Sequence, residues 1–409
     1  FNSLFMLRTE GLFLASVSWV LMFRGVEVLE NGLARTPPMG WMSWGYHMCE
    51  TDYVNKPSRC LNEGLIMSVA DAFYTEGYKE AGYQYVILDD GWSEKERDAD
   101  GRLVADKQRF PRGMKFLADY IHARGLKFGL YIGIGSTTCM GFPGSQKYLK
   151  EDAQQFADWE VDYIKADGCY VPLDHLEPAY IGLGSYMNAT QRLMVYSCSW
   201  PFDSGIKHKT LVDFSKIAST CNLWRNFHDV QLLQFSIDLI IRYLPKFHIT
   251  HGPGHWYDPG MLVIGSGNLT EGGNRMQMAV WSMLSAPFLI SSPMTHITPY
   301  EKKLLQNPDL IAIAQDPLGI MATPFQLSKS MTLWMKRHLP MRGDIYHSFS
   351  FAAVNFGNSS TYIKIQPAVY GLDYHTYGVY VCVYFVKNIT SFADYIDEIV
   401  PAHGELLPT

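Results

Sequence analysis

Val161-Asp162-Tyr163-Ile164-Lys165-Ala166-Asp167-Gly168-Cys169 is a short, largely apolar run that stops at a carboxylate. Tyr85-Val86-Ile87-Leu88 stops in the same way, at Asp89-Asp90. Such runs, bounded by polar residues, read as strands buried on both faces. Their recurrence points to a barrel whose strand ends build one acidic pocket. Further runs at Gly40–Trp44, Lys127–Ile132, Met194–Cys198, Asn222–Arg225, Phe247–Gly252 and Phe288–Ser291 complete a set of eight. Amphipathic stretches such as Leu61–Ala81, Gly113–Arg124, Ser145–Glu160 and Gln231–Leu244 have the length of crossover helices. The fold class is therefore α/β, a (β/α)₈ TIM barrel over residues 29–320. A doubly wound open sheet is the rival, but Ile134-Gly135-Ser136 lacks the glycine pattern of a dinucleotide site and there is no P-loop.

The character changes near Pro317-Leu318-Gly319. Residues 321–409 carry Tyr-, Val- and Phe-rich runs at Lys329–Met335, Tyr346–Phe356, Tyr362–Ile365 and Tyr377–Val386, separated by turn residues. They predict a C-terminal antiparallel β-sandwich domain. Residues 1–28 read as a signal-like segment: Met6-Leu7-Arg8 resembles a start, and Gly11 to Phe23 is apolar but too short to span a bilayer. Glu10 and Arg24 flank that run, and no Ala-x-Ala site follows.

The composition is globular, with 47% hydrophobic and 18% charged residues in 409. A net charge of −6 argues against general attraction to nucleic acid. The 10 Trp, 25 Tyr and 22 Phe supply both core and ring-stacking surfaces. Acceptor sequons at Asn188, Asn268, Asn358 and Asn388 fit an oxidising, glycosylating route. The seven cysteines form no Cys-x-x-Cys pair, so disulfides are their expected use, with one thiol left over. His251 and His255 flank a Gly-Pro-Gly turn near Asp258, which cannot be helical, so no metal and no other cofactor is expected.

In a barrel of this kind the C-terminal ends of the strands build the site. Those positions hold Trp44, Asp89, Asp90, Tyr131, Lys165, Asp167, Ser199, Trp200, Arg225, Asp229 and Asp258. Hydrolysing a glycoside takes two carboxylates, one to attack or activate water and one to protonate the leaving oxygen. Asp167 and Asp229 are the candidate pair. Lys165, two residues before Asp167, projects to the same side of the strand and keeps it ionised. Asp229, in the loop after the sixth strand, is expected to stay partly protonated through a facing carboxylate or burial. A lone Asp after a strand is more often a helix cap; the set taken together is what suggests a site.

These residues stand in segments that resemble the α-galactosidase and α-N-acetylgalactosaminidase family of retaining glycosidases (glycoside hydrolase family 27, clan D). The segments include Asn31-Gly32-Leu33-Ala34-Arg35-Thr36-Pro37-Pro38-Met39-Gly40-Trp41, Leu88-Asp89-Asp90-Gly91-Trp92 and Thr138-Cys139-Met140-Gly141-Phe142-Pro143-Gly144-Ser145. Asp162 to Cys169, Tyr196-Ser197-Cys198-Ser199-Trp200-Pro201, Cys221-Asn222-Leu223-Trp224-Arg225-Asn226 and Gln315-Asp316-Pro317-Leu318-Gly319 extend the match. The resemblance implies Asp167 as nucleophile and Asp229 as general acid/base. It implies Asp89 and Asp90 on the 4- and 6-hydroxyls of a galactose-like ring, Lys165 on a ring hydroxyl, and Arg225 near the 2-substituent. Trp44 and Tyr131 would shape the pocket, with Asp258 at its rim. It further implies disulfides Cys139–Cys169 and Cys198–Cys221, a lysosomal or secreted homodimer, and terminal α-linked N-acetylgalactosamine or galactose conjugates as substrates.

Ser199 matches the N-acetylgalactosaminidase type, where α-galactosidases carry Glu. Phe202 replaces the small Ala of that type, leaving α-galactosidase or dual specificity open, and Asp203 stands where both types have Tyr. Gly260 occurs where the family has a substrate-facing Asp, and Gly133 where α-galactosidases have Asp, leaving open a sugar-binding relative without turnover. Cys49 and Cys60 lack their usual partners, at Gly91 and Tyr53, and are candidates to pair with each other.

Overall fold

A computed structural model of the chain describes residues 29–244, 251–342, 346–365, 369, 378–381, 386–389 and 396–400. The expected signal-like segment and Cys382 lie outside these residues. Eight parallel strands form one sheet: β1 Met39–Met42, β2 Tyr85–Leu88, β3 Lys127–Gly133, β4 Tyr163–Asp167, β5 Val195–Cys198, β6 Leu223–Arg225, β7 Trp256–Asp258 and β8 Phe288–Ile290. From β1 to β7 each strand pairs with the next, and β1 also pairs with β8. A parallel bridge from Leu262, just past β7, to Ile290 of β8 closes the ring. The barrel expected from the apolar runs is borne out.

A seventh strand was expected at Phe247–Gly252, of which residues 247–250 lie outside the described residues; among the described residues β6 pairs with Trp256–Asp258, with Leu223 opposite Trp256. Gly252-Pro253-Gly254 makes a reverse turn closed by the Gly252–His255 bridge, and Gly254 takes φ +88°. β7 follows directly after it.

Strand alternation sorts the core into two layers. Met42, Tyr85, Ile87, Tyr163, Val195, Leu223, Trp256 and Leu289 fill the barrel interior with Met261. Val86, Leu88, Phe128, Leu130, Ile164, Ala166, Tyr196 and Trp224 face outward onto the helices. The expected helices are present but shorter. Glu63–Thr75 starts at an Asn62 cap, whose side chain takes Leu65 N at 2.9 Å, and it stops before Gly77 at φ +84°. The others span Gly113–His122, Leu149–Asp158 and Gln234–Tyr243. Among the described residues, no helix is long and apolar enough to cross a membrane.

Beyond the barrel the strands are antiparallel. β9 (Thr323–Gln326), β10 (Met331–Arg342) and β11 (Tyr346–Asn355) form one sheet with β10 in the middle. β12 (Thr361–Ile365) pairs with β15 (Ile396–Val400), and β13 (Gly378–Val381) with β14 (Val386–Ile389). The run expected at Tyr377–Val386 is thus divided between two paired strands. Ile363 packs on Met331 and Leu333, joining the first two sheets into a small core.

The sheet is fastened to the barrel by a buried cation. Lys336 of β10 has no exposed surface, and its Nζ donates to Ser282 O at 3.2 Å, Ser285 Oγ at 2.6 Å and Ile313 O. Burial pushes its ammonium down to about 7, against a smaller opposing pull from Asp316. Between that value and its ordinary one the unfolded chain binds more protons, so this group makes stability rise with pH across that window. Lys336→Met should remove this slope, on the order of 4 kcal/mol over the full window. Thermal unfolding of both proteins from pH 6 to 10 checks it; parallel pH curves would count against the assignment.

Candidate active site

The alternation that fills the barrel also aims the polar residues. On β4, Tyr163 points inward, so Lys165 and Asp167 do as well. The same step of two carries Ile87 to Asp89, Leu223 to Arg225, Trp256 to Asp258, and Val195 through Ser197 to Ser199. All these residues emerge at the C-terminal rim of the barrel. Trp44 follows β1 as the first residue of the short helix Trp44–His47.

Lys165 Nζ donates to Asp89 Oδ2 at 2.7 Å and lies 3.7 Å from Asp167 Oδ2. The rings of Trp44 and Tyr131 flank its ammonium, with centroids at 5.6 and 5.1 Å. Asp89 is oriented by Asp90 N, which donates to its Oδ1 at 2.8 Å. Asp90 in turn accepts Gly91 N and Met140 N at 2.7 and 3.1 Å. Opposite Lys165, Arg225 Nη2 lies 3.5 Å from Asp167 Oδ1, and Nη1 lies 3.3 Å from Asp229 Oδ1. One planar guanidinium therefore touches both candidate carboxylates. Its Nη1 also donates to Phe227 O at 2.6 Å, which fixes the fork. Ser199 Oγ donates to Asp167 and accepts from Arg225 Nη2 at 3.1 Å. The Phe202 ring lies 4.6 Å from the Arg225 guanidinium carbon and edge-on to His228.

The carboxylates Asp89, Asp90, Asp167, Asp203, Asp229 and Asp258 outnumber the cations Lys165 and Arg225. Burial alone would push Asp167 up. Lys165 and Arg225, with hydrogen bonds from Ser199 and Tyr131, outweigh it and hold Asp167 below the usual carboxylate range. Burial dominates at Asp89 and Asp258, which are raised. Burial together with the Asp89 charge pushes Asp90 up to about 6. Lys165 is raised, because Asp89, Asp167 and Asp229 together outweigh its burial. Among these buried carboxylates Asp167 is thus set apart as the one held below the usual range.

All eleven expected catalytic and sugar-binding residues, Phe202 included, stand at this rim, but one departs from its expected environment. The Asp229 side chain is 36 % exposed and faces the Arg225 guanidinium, so it is less buried than the other site carboxylates. The loop after β6 carries it outward, onto the open side of the site. Cys139–Cys169 and Cys198–Cys221 are disulfide-bonded. The pairing considered for Cys49 and Cys60 is not made: both are free, with Cys60 buried against Leu61 O and Cys49 packed on Gly91. Gly260 is more than a missing carboxylate. It sits at φ +104°, and a Cβ there would meet Val230 Cγ2 at 2.7 Å. Asn188, Asn268 and Asn358 are exposed.

Among the described residues, the side chains spaced closely enough to hold a metal ion lie away from this rim. His251 Nδ1 is engaged by Tyr257 N at 3.1 Å, and His255 Nδ1 lies 3.1 Å from Pro253 O. Asp119, His122 and Glu160 cluster around the helix Gly113–His122, where Lys115 already pairs with both acids. Sequence reasoning missed the role of Asp203. Its carboxylate accepts Gly168 N at 2.9 Å and Tyr180 OH at 2.7 Å. Only the departure from the family's Tyr marked it.

Comparison with known proteins bears on the same region. The family described as Alpha galactosidase A (Melibiase_2) matches residues 36–316. Alpha-galactosidase A of Homo sapiens is 43% identical over 327 residues, covering 79% of this chain and 75% of that protein. Alpha-N-acetylgalactosaminidase of Mus musculus is 42% identical over 351 residues, covering 84% and 82%. In structure, alpha-galactosidase I from Mortierella vinacea superposes with a TM-score of 0.80 at 29% identity, covering 92% of this chain and 96% of that one.

Proposed function

Because the chain belongs to the glycosidase family of the α-galactosidases and α-N-acetylgalactosaminidases, we propose that Asp167 and Asp229 work as nucleophile and general acid/base in the retaining removal of terminal α-linked N-acetylgalactosamine from glycoproteins and glycolipids. The observation that carries this reading is the single guanidinium of Arg225, which joins a buried carboxylate held ionised to a second, more exposed one. Asp167 attacks the anomeric carbon while Asp229 protonates the departing glycosidic oxygen, giving a covalent glycosyl–Asp167 ester. Asp229, now a base, takes a proton from water, which attacks the same carbon and releases Asp167. The more open position of Asp229 suits a group that must meet aglycone and then water. Asp89, Asp90 and Lys165 bind the hydroxyls of the galacto-configured ring; an equatorial 4-hydroxyl would leave a buried carboxylate unpaired.

The acetamido preference rests on Ser199, a short side chain engaged between Asp167 and Arg225, which leaves space beside the 2-position. Phe202 favours the alternative, α-galactosidase or dual specificity, because its ring lies on Arg225 where an acetamide would extend. Rates on an aryl α-N-acetylgalactosaminide and on the aryl α-galactoside decide between them. Faster cleavage of the plain galactoside would reverse the preference. Phe202→Ala should raise kcat/KM for the acetamido substrate about tenfold and leave the galactoside nearly unchanged; equal changes on both would remove Phe202 from specificity. Residues 29–320 serve in this reading as the catalytic barrel and 321–409 as an accessory β domain. A lysosomal or secreted homodimer is part of this reading, and the exposed sequons are compatible with the secretory route.

A further inference from the structure

Asp203 lies in the π-helical turn Phe202–Lys207, directly after the β5 rim, and is 2% exposed. Its Oδ2 accepts from Gly168 N, the amide of the peptide whose carbonyl belongs to Asp167. The same oxygen accepts from Tyr180 OH, on the helix Leu173–Ala189, and that hydroxyl also reaches Ala166 O at 3.3 Å. The Tyr180 ring stacks on Trp200 with an interplanar angle of 2°. The end of β4 is therefore clamped from below, on both sides of Asp167, by one carboxylate and one phenol. The close approach depends on glycine at 168, where a Cβ would fall 2.6 Å from Leu176 Cδ1 and against the Asp203 carboxylate.

We propose that Asp203 is a positioning residue for the nucleophile, acting through the Asp167–Gly168 peptide rather than on the sugar. This rests on Asp167 being the nucleophile. The groups facing Asp203 are Tyr180 from the helix, Asp167 from β4, Arg225 from β6 and Lys207 from its own turn. Among the described residues no cation lies within ion-pair distance of it. Burial, and then the Asp167 charge, push its carboxyl up to about 6. It therefore changes charge within the working range of an acid hydrolase. Ionised, it grips Gly168 N more firmly and repels Asp167, a repulsion that ester formation relieves. Turnover should accordingly carry an inflection near that pH that belongs to neither Asp167 nor Asp229.

The test is the pH profile of kcat and KM on whichever aryl glycoside the enzyme cleaves faster. Asp203→Asn should lower kcat by about 10- to 100-fold with KM within about threefold, and should remove the part of the inflection that Asp90, pushed to a similar value, does not supply. Asp203→Glu should restore part of kcat. A profile parallel to wild type, or a change confined to KM, would overturn the proposal. If Asp203→Asn fails to fold, Tyr180→Phe takes its place. Losing a donor that holds Asp203 down should move the inflection to higher pH, and an unmoved inflection is equally fatal. Labelling by a mechanism-based inhibitor separates this from the nucleophile assignment. Label on a residue other than Asp167 in wild-type protein refutes that assignment, whereas slow label on Asp167 in Asp203→Asn supports both.

Discussion

Asp167→Asn is expected to lower turnover by on the order of 10⁵-fold while the barrel remains folded. The amide keeps the shape of the carboxylate but cannot form the glycosyl ester, and it loses the charge that Lys165 and Arg225 hold in place. A mechanism-based inhibitor should add one glycosyl mass to wild type and none to the variant; an adduct that persists at unchanged stoichiometry would remove Asp167 from the role. The stability change has a definite sign. The folded carboxyl lies below its ordinary value, so its contribution is present above the unfolded pKa, about 4, and is lost as pH falls through the folded one. The variant's deficit in thermal unfolding should therefore shrink in strong acid.

Asp229→Ala is the second large effect, and its signature is chemical. Without a proton donor, hydrolysis of glycosides with poor leaving groups should fall by about 10³- to 10⁴-fold. Aryl glycosides with acidic phenols need little protonation and should still form the ester, so a burst of phenol appears before slow turnover. Azide needs no general base, and the space left by the truncated side chain admits it. It should restore turnover and give the α-glycosyl azide, the configuration retained through two displacements. A β-azide, or rescue of the Asp167 variant instead, would exchange the two roles.

The barrel was legible in the residues because buried parallel strands need apolar side chains on both faces, and Tyr85–Leu88 and Tyr163–Asp167 meet that need within a few positions. The inward aim of Lys165 and Asp167 was equally legible, since the period of a strand is two. The strand Trp256–Asp258 was not: three residues are too few to show a period, and only pairing with Leu223–Arg225 identifies it. Cys49 and Cys60 illustrate the same limit, because short spacing along the chain does not make two thiols meet in space. The altered residue at Gly260 was visible as a lost carboxylate, but its positive φ and contact with Val230 were not.

Period and motif thus specify locally which side chains reach the rim, the acidic character of the pocket and the identity of the candidate pair. Folding alone determines how these groups act on one another. Asp167 is held below the usual carboxylate range because Lys165 arrives from its own strand and Arg225 from two strands away, and their combined field exceeds the cost of burial. Asp229 is half-buried on the open side of the rim because it sits in the loop after β6, and Asp203 grips Gly168 because a π-helical turn brings it beneath β4. Distance and burial set these energies, and both are properties of the closed barrel rather than of any segment within it.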